Sequence, residues 1–245
     1  MAHAWRWVRS LVFVGQMYVM MLVIGLLYLP GAILSPEGAR RGCKAYCRWV
    51  FWTARWMVGL RCEVRGTPPT EGALVAAKHQ SFLDILIIFN ALPSAIFIMK
   101  REILWTPIIG LYAYRLGCVA VNRGKRGIAI KKMLNDVASG HAPAGQLIIY
   151  SQGTRVAPGV KAPYKVGTGA LYVQMEQPCA PVATNVGVFW PRTGIYRKPG
   201  LAVAEFLPII PPGLDRDAFM QRLETEVETA SDRLIAEARA SLKEA

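Results

Sequence analysis

Ionised side chains and histidine are both scarce in this chain. Only 18% of its 245 residues are Asp, Glu, Lys or Arg, against roughly 25% in an average soluble domain. With 53% apolar residues and a mean hydropathy of +0.28, that excludes a disordered chain and points towards a membrane-associated one. A polytopic transporter is excluded as well, because a single segment is long enough to span. Three histidines (His3, His79, His141) and five cysteines without a C-x-x-C pair leave little for a Cys/His metal cluster, so no metal site is expected. Cys43, Cys47, Cys62, Cys118 and Cys179 are an odd number scattered through apolar sequence, and read as free thiols in a reducing compartment.

Acidic residues are also in short supply, 16 against 29 basic ones. The imbalance is uneven. Residues 215–245 hold five basic and eight acidic groups, leaving 24 basic and eight acidic in residues 1–214. A body so basic is drawn to a polyanion: nucleic acid, an anionic lipid surface or an acidic carrier.

From Ser10 to Leu34 the chain runs 25 residues without an ionised side chain, enough at 1.5 Å per residue to cross a hydrocarbon layer of about 30 Å. The stretch exceeds a signal-peptide core and no small-x-small cleavage site follows closely. Arg6 and Arg9 precede it and Arg40, Arg41, Lys44 and Arg48 follow; positive charge on both flanks fits poorly with translocation of one end. Residues 43–60 then read as an amphipathic helix. Arg41, Arg48 and Arg55 recur every seven residues beside Trp49, Trp52 and Trp56, the pattern of an interfacial helix on anionic lipid. Residues 1–62 are therefore expected to form a two-helix membrane anchor, either a shallow re-entrant hairpin or a single span, with residues 63–245 as a separate domain.

Beyond the turn-rich boundary Arg65-Gly66-Thr67-Pro68-Pro69, short apolar strands alternate with helices. Strands are expected at 74–77, 95–99, 118–121, 147–150, 179–185 and 201–207. Helices are expected at 82–90, 103–116, 127–138, 167–174 and 215–242, the last N-capped by Asp215 with Phe219, Leu223, Val227, Ala230 and Leu234 on one face. This alternation predicts an α/β fold with a mostly parallel central sheet flanked by helices.

His79 follows the first strand, in Ala76-Ala77-Lys78-His79-Gln80-Ser81-Phe82-Leu83-Asp84. The carboxyl end of a strand beside a helix amino terminus is where α/β sheets put reactive groups, and an imidazole backed by a carboxylate can take a proton from a hydroxyl. Five residues is an awkward separation on a straight helix, so the pair requires a non-helical turn. Three further strands end in suggestive turns: Val121-Asn122-Arg123, Tyr150-Ser151-Gln152-Gly153-Thr154-Arg155, and Thr184-Asn185. In a parallel sheet these converge on one rim, where guanidinium forks suit phosphate oxygens.

The ordered set H-x-x-x-x-D, Val-Asn-Arg, Gln-Gly-Thr-Arg and Ala-Pro-Val-Ala resembles the 1-acyl-sn-glycerol-3-phosphate acyltransferase family, over about residues 60–210. The resemblance implies transfer of a fatty acyl chain from a thioester to the 2-hydroxyl of lysophosphatidic acid, giving phosphatidic acid. His79 would be the general base and Asp84 its orienting partner. Arg123, Gln152, Gly153, Thr154 and Arg155 would bind the acceptor phosphate. Transfer is expected to be direct, with Ser81 not a nucleophile. No resident cofactor is implied; the donor is acyl-CoA or an acyl-acyl carrier protein, the acceptor a lysophospholipid, and the setting the inner membrane with the catalytic face towards the cytoplasm.

This chain departs from the family pattern at two places. The third motif usually reads Phe-Pro-Glu-Gly-Thr-Arg, whereas Tyr150-Ser151-Gln152 stands here, and Asn122 replaces the usual Asp before Arg123. Both remove negative charge near the proposed anion site, so an acceptor such as lyso-ornithine lipid stays open, as does a membrane-surface binding protein on an inactive scaffold. Lys100, Arg101, Arg115, Lys125, Arg126, Lys131 and Lys132 lie between the first and third motifs, where they attract anionic lipid, coenzyme A phosphates or an acidic carrier protein, or simply face solvent. Nucleic acid is not expected, because the tryptophans sit in the membrane-like helix rather than beside that charge. Phe82, Leu83 and the 103–116 helix are the expected lining of an acyl groove.

Overall fold

A computed structural model describes residues 2–121 and 145–243. Seven strands form one sheet: β1 Leu60–Arg65, β2 Ala73–Ala77, β3 Ala95–Lys100, β4 Val119–Val121, β5 Gln146–Tyr150, β6 Cys179–Thr184 and β7 Gly200–Phe206. Their order is β1-β7-β6-β2-β5-β3-β4. Every neighbouring pair is parallel except β6 with β7, which agrees with the mostly parallel sheet expected.

The helices are α1 Ala2–Leu27, α2 Leu29–Leu34, α3 Pro36–Thr53, α4 Leu83–Ala91, α5 Ile109–Arg115, α6 Gly167–Met175 and α7 Arg216–Lys243. α3 runs on through a π-helical turn at Ala54–Val58, which Gly59 ends in a left-handed conformation at φ 71°. Side chains alternate along β2 and β5 between two apolar clusters. Val75, Ala77 and Ile148 pack with Phe13 and Met17 of α1, Val50 of α3 and Leu83, Ile87 and Ile88 of α4. Leu74, Ala76, Leu147 and Ile149 pack on the other face with Leu171 of α6 and Phe219, Leu223 and Val227 of α7.

Several expectations need correction. The segment 103–116 is not one helix: a 3-10 turn at Arg101–Trp105 precedes α5, and Ile108 between them sits at φ 65°, an outlier for a β-branched residue. β1, read as the end of a helix and a turn-rich boundary, is an edge strand paired with β7. α3 starts at Pro36, seven residues before the expected helix. Ser35 accepts the amide of Gly38 at 2.9 Å and Pro36 occupies the first turn, the ordinary start of a helix. Gly38 lets α3 cross α2 closely, since a Cβ there would lie 2.1 Å from the Gly31 carbonyl oxygen. At the other end of the chain, Asp215 does cap α7, accepting the amides of Asp217 and Ala218 at 2.9 Å each.

Candidate active site

Strand periodicity sends consecutive residues after β2 to opposite faces. Lys78, buried, forms an ion pair with Glu228 of α7 at 2.5 Å, and Tyr164 donates to the same carboxylate at 2.9 Å. His79 turns the other way, towards α1, α3 and α4. The required non-helical turn spans residues 79–82, and α4 begins at Leu83. That turn brings His79 Nδ1 to 2.8 Å from Asp84 Oδ1. Asp84 Oδ2 accepts the backbone amides of Gln80 and Ser81 at 2.8 and 2.7 Å.

Asp84 is fully buried, and its charge is balanced by these amides and by the amino end of α4. A carboxylate only accepts, so Nδ1 carries the proton and Nε2 keeps a lone pair. The Ser81 hydroxyl is buried and accepts the Leu83 amide at 3.2 Å. Gln80 ties the turn to the end of β6, donating to the Thr184 carbonyl and accepting from the Gly187 amide, both at 2.9 Å.

The loop after β5 is held against this turn. Val156 donates its amide to the His79 carbonyl at 2.8 Å, and Gly153 takes φ 70°, a conformation glycine adopts at no steric cost. Gly153 and Thr154 are exposed, whereas Arg155 is half-buried. Arg155 Nη1 donates to the Arg192 carbonyl at 3.2 Å and Arg192 returns the contact at 3.3 Å. Gln152 faces inward instead. Its amide donates to the Ala162 carbonyl at 3.1 Å and its buried oxygen has no partner among the described residues, so it spans the base of the loop rather than lining the rim. Arg123 and Asn122, with the expected helix 127–138 and Lys125, Arg126, Lys131 and Lys132, lie outside the described residues. In the third turn, Asn185 is buried and bonds the backbone of Leu201, Val203 and Leu234.

His79, Tyr150 and Arg155 border a cavity of about 640 Å³. Phe82 and Ile103, Ile108, Ile109, Tyr112, Ala113 and Leu116 line it as expected, but Leu83 does not; its side chain is fully buried in the core. The sequence reading missed the far wall. Met21, Ile24 and Gly25 of α1 and Gly42, Cys43, Tyr46 and Cys47 of α3 close the cavity, so the presumed anchor is also part of the pocket. Burial pushes the Cys43 thiol up to about 12 and the Cys118 thiol up to about 11, and it raises the Tyr112 phenol to about 12. Away from His79 and Arg155, the walls are therefore uncharged at neutral pH and fit for a hydrocarbon chain. Tyr150, the first residue of the third motif, borders the cavity as well. Its ring stacks on His79 with centroids 3.9 Å apart and planes at 21°.

A largely parallel α/β sheet, a histidine–aspartate pair at a strand's carboxyl end and an apolar cavity beside it describe a glycerolipid-acyltransferase type of scaffold. A family model described as Acyltransferase matches residues 61–185, and the chain belongs to that family. The 1-acyl-sn-glycerol-3-phosphate acyltransferase of Pseudomonas aeruginosa is 29% identical over 157 residues, 63% of this chain and 61% of that protein. The alpha form from Mus musculus is 34% identical over 168 residues, 67% and 58% of the two chains. These matches span about three fifths of either relative. The crystal structure of the 1-acyl-sn-glycerophosphate (LPA) acyltransferase from Thermotoga maritima shares the fold, with a TM-score of 0.78 at 19% identity over 96% of this chain and 98% of that one.

Proposed function

We propose that the protein transfers an acyl chain from a thioester, carried by coenzyme A or an acyl carrier protein, to the 2-hydroxyl of a 1-acyl-glycerol-3-phosphate. The single observation behind this reading is the free Nε2 of His79, backed by Asp84 at 2.8 Å, on the border of an apolar cavity that Arg155 also borders. His79 Nε2 takes the proton of the acceptor hydroxyl as its oxygen bonds to the thioester carbonyl carbon. The carbon–sulfur bond then breaks, and the imidazolium returns the proton to the departing thiolate. Asp84 steadies the imidazolium between these events. Arg155, with Gly153 and Thr154, holds the acceptor phosphate, and Gln152 keeps the loop in shape. Each methylene sheltered in the cavity contributes about 0.8 kcal/mol.

The membrane enters through α1. Ser10, Phe13, Met17 and Ile24 form a buried stripe against the domain, while Leu11, Val12, Val19, Leu22, Leu26 and Leu27 stay exposed on the outer side. A helix packed along one side on a charged domain cannot also be ringed by lipid across a bilayer. The reading is therefore the shallow anchor, in the cytoplasmic leaflet of the inner membrane, with Trp52 and Trp56 stacked at 6.2 Å at headgroup level.

The deciding experiment is mass spectrometry of the lipids formed by purified protein from mixed lysolipids, lyso-ornithine lipid included, and mixed acyl donors. Phosphatidic acid is the expected product. His79→Ala is expected to fold and bind vesicles yet lose at least about 100-fold in turnover, and Arg155→Ala to act mainly by raising the acceptor KM. Full turnover in His79→Ala overturns the assignment.

A further inference from the structure

The Tyr150 hydroxyl is buried, with the Asp84 carboxylate acting on it, and among the described residues it meets hydrogen-bond geometry with no partner. Its ring is the face on which His79 lies. Of the acceptor positions on Asp84, Oδ2 takes two backbone amides and Oδ1 takes His79, which leaves room on the carboxylate for one more donor.

We propose that Tyr150 is a positioning residue for the His79–Asp84 pair: its ring fixes the plane of the imidazole so that Nε2 faces the cavity, and its hydroxyl tempers the charge that Asp84 presents to Nδ1. The inference rests on His79 being the base. The stack restricts imidazole rotation about the Nδ1–Asp84 bond, and its π-face also favours the imidazolium formed during transfer. A hydroxyl dipole beside a carboxylate draws negative charge towards itself, so the charge that Asp84 presents to Nδ1 is smaller than it would be alone. Burial and the Asp84 charge together keep the phenol far above its ordinary range, so it stays a neutral donor throughout. Among the described residues, the ionisable groups facing His79 are Asp84 from α4, Tyr150 from β5 and Arg155 from the following loop. Deeper in the cavity stand Cys43, Tyr46 and Cys47 of α3, Tyr112 of α5 and Cys118; all five are raised by burial and stay neutral across the working range.

The test compares the full chain, Tyr150→Phe, Tyr150→Leu and His79→Ala in vesicles, with lysophosphatidic acid and acyl-CoA as substrates, recording kcat/KM from pH 5 to 9. Tyr150→Phe keeps the stack and loses the hydroxyl. Its kcat is expected to stay within about threefold of the parent, while the acidic limb of its profile moves to higher pH by about half a unit. Tyr150→Leu loses the stack, and its kcat is expected to fall about tenfold or more with the acceptor KM little changed. A Tyr150→Phe profile that superimposes on the parent's, or an undiminished kcat in Tyr150→Leu, overturns the inference. If His79→Ala is inactive in that same experiment, only the role of Tyr150 fails. Full activity in His79→Ala instead removes the base itself, and the inference with it.

Discussion

At the scale of single residues, the chain's five thiols share one condition. Burial raises every one of them above its ordinary value, Cys43 and Cys62 up to about 12 and Cys118 up to about 11, with Cys47 and Cys179 higher still. Folding thus favours the protonated thiol. The associated stability is complete below the unfolded value near 9 and declines as pH rises from there towards the folded values, because the unfolded chain releases protons first. Two outcomes are expected. The native protein should resist alkylation at pH 8, read by intact mass, while the denatured chain takes up label at all five positions; and the melting temperature should fall as pH is raised from 8 to 10.5. Fast labelling of the buried Cys47 or Cys179 at pH 8 would contradict this burial.

At the scale of elements, the contact between β2 and α7 is the one most exposed to a single change. Lys78 is only 3% exposed and its ammonium rests on Glu228, which is 26% exposed. Glu228→Gln removes the countercharge and leaves a cation in the core. Breaking such a pair costs about 3–5 kcal/mol, and the partial exposure of Glu228 places this one towards the lower end. Thermal melting should show a drop of several degrees, with a loss of activity that follows the unfolded fraction. Because Lys78 precedes His79 directly, a folded fraction that has lost kcat would instead mean that α7 governs the aim of the imidazole. The α2–α3 crossing is a second tight element, where Gly38 sits against the Gly31 backbone, and it sets where α3 meets the cavity.

At the scale of the whole molecule, α1 and α3 have two jobs that pull on the same residues. Inward faces contribute Met21, Ile24, Cys43 and Cys47 to the cavity, while outward faces show Leu22, Leu26, Trp52 and Trp56 to the surroundings. Replacing Leu22 and Leu26 together by Asp alters only the outward face. Flotation with anionic vesicles should show the parent bound even at high salt, where screened charge contributes little, and the double variant released. Its folding and its activity on short-chain, water-soluble substrates should remain. A double variant that still floats at high salt would mean that α1 does not lie in lipid.

The sequence alone made much of this legible, for a physical reason. Alternation of short apolar runs with amphipathic stretches carries the period of each element in the identity of its residues, and so β2, β5, β6, α6 and α7 could be read within a residue or two. The juxtaposition of His79 and Asp84 was readable as chemistry, since five residues demanded a turn. What depended on the tertiary structure are the relations that no local period encodes. β1 lacks an apolar pattern strong enough to stand out, and only its pairing with β7 makes it a strand. At the break, Ile108 packs against Gly25 of α1, whose added Cβ would lie 2.7 Å from Ile108, a contact between segments far apart in the chain. Gln152 reads like a ligand in the motif, yet in the fold it points to the Ala162 carbonyl. Tyr150 and the inward faces of α1 and α3 meet His79 across more than thirty residues of chain, and contact at that separation is decided by how layers stack, which composition and spacing do not record.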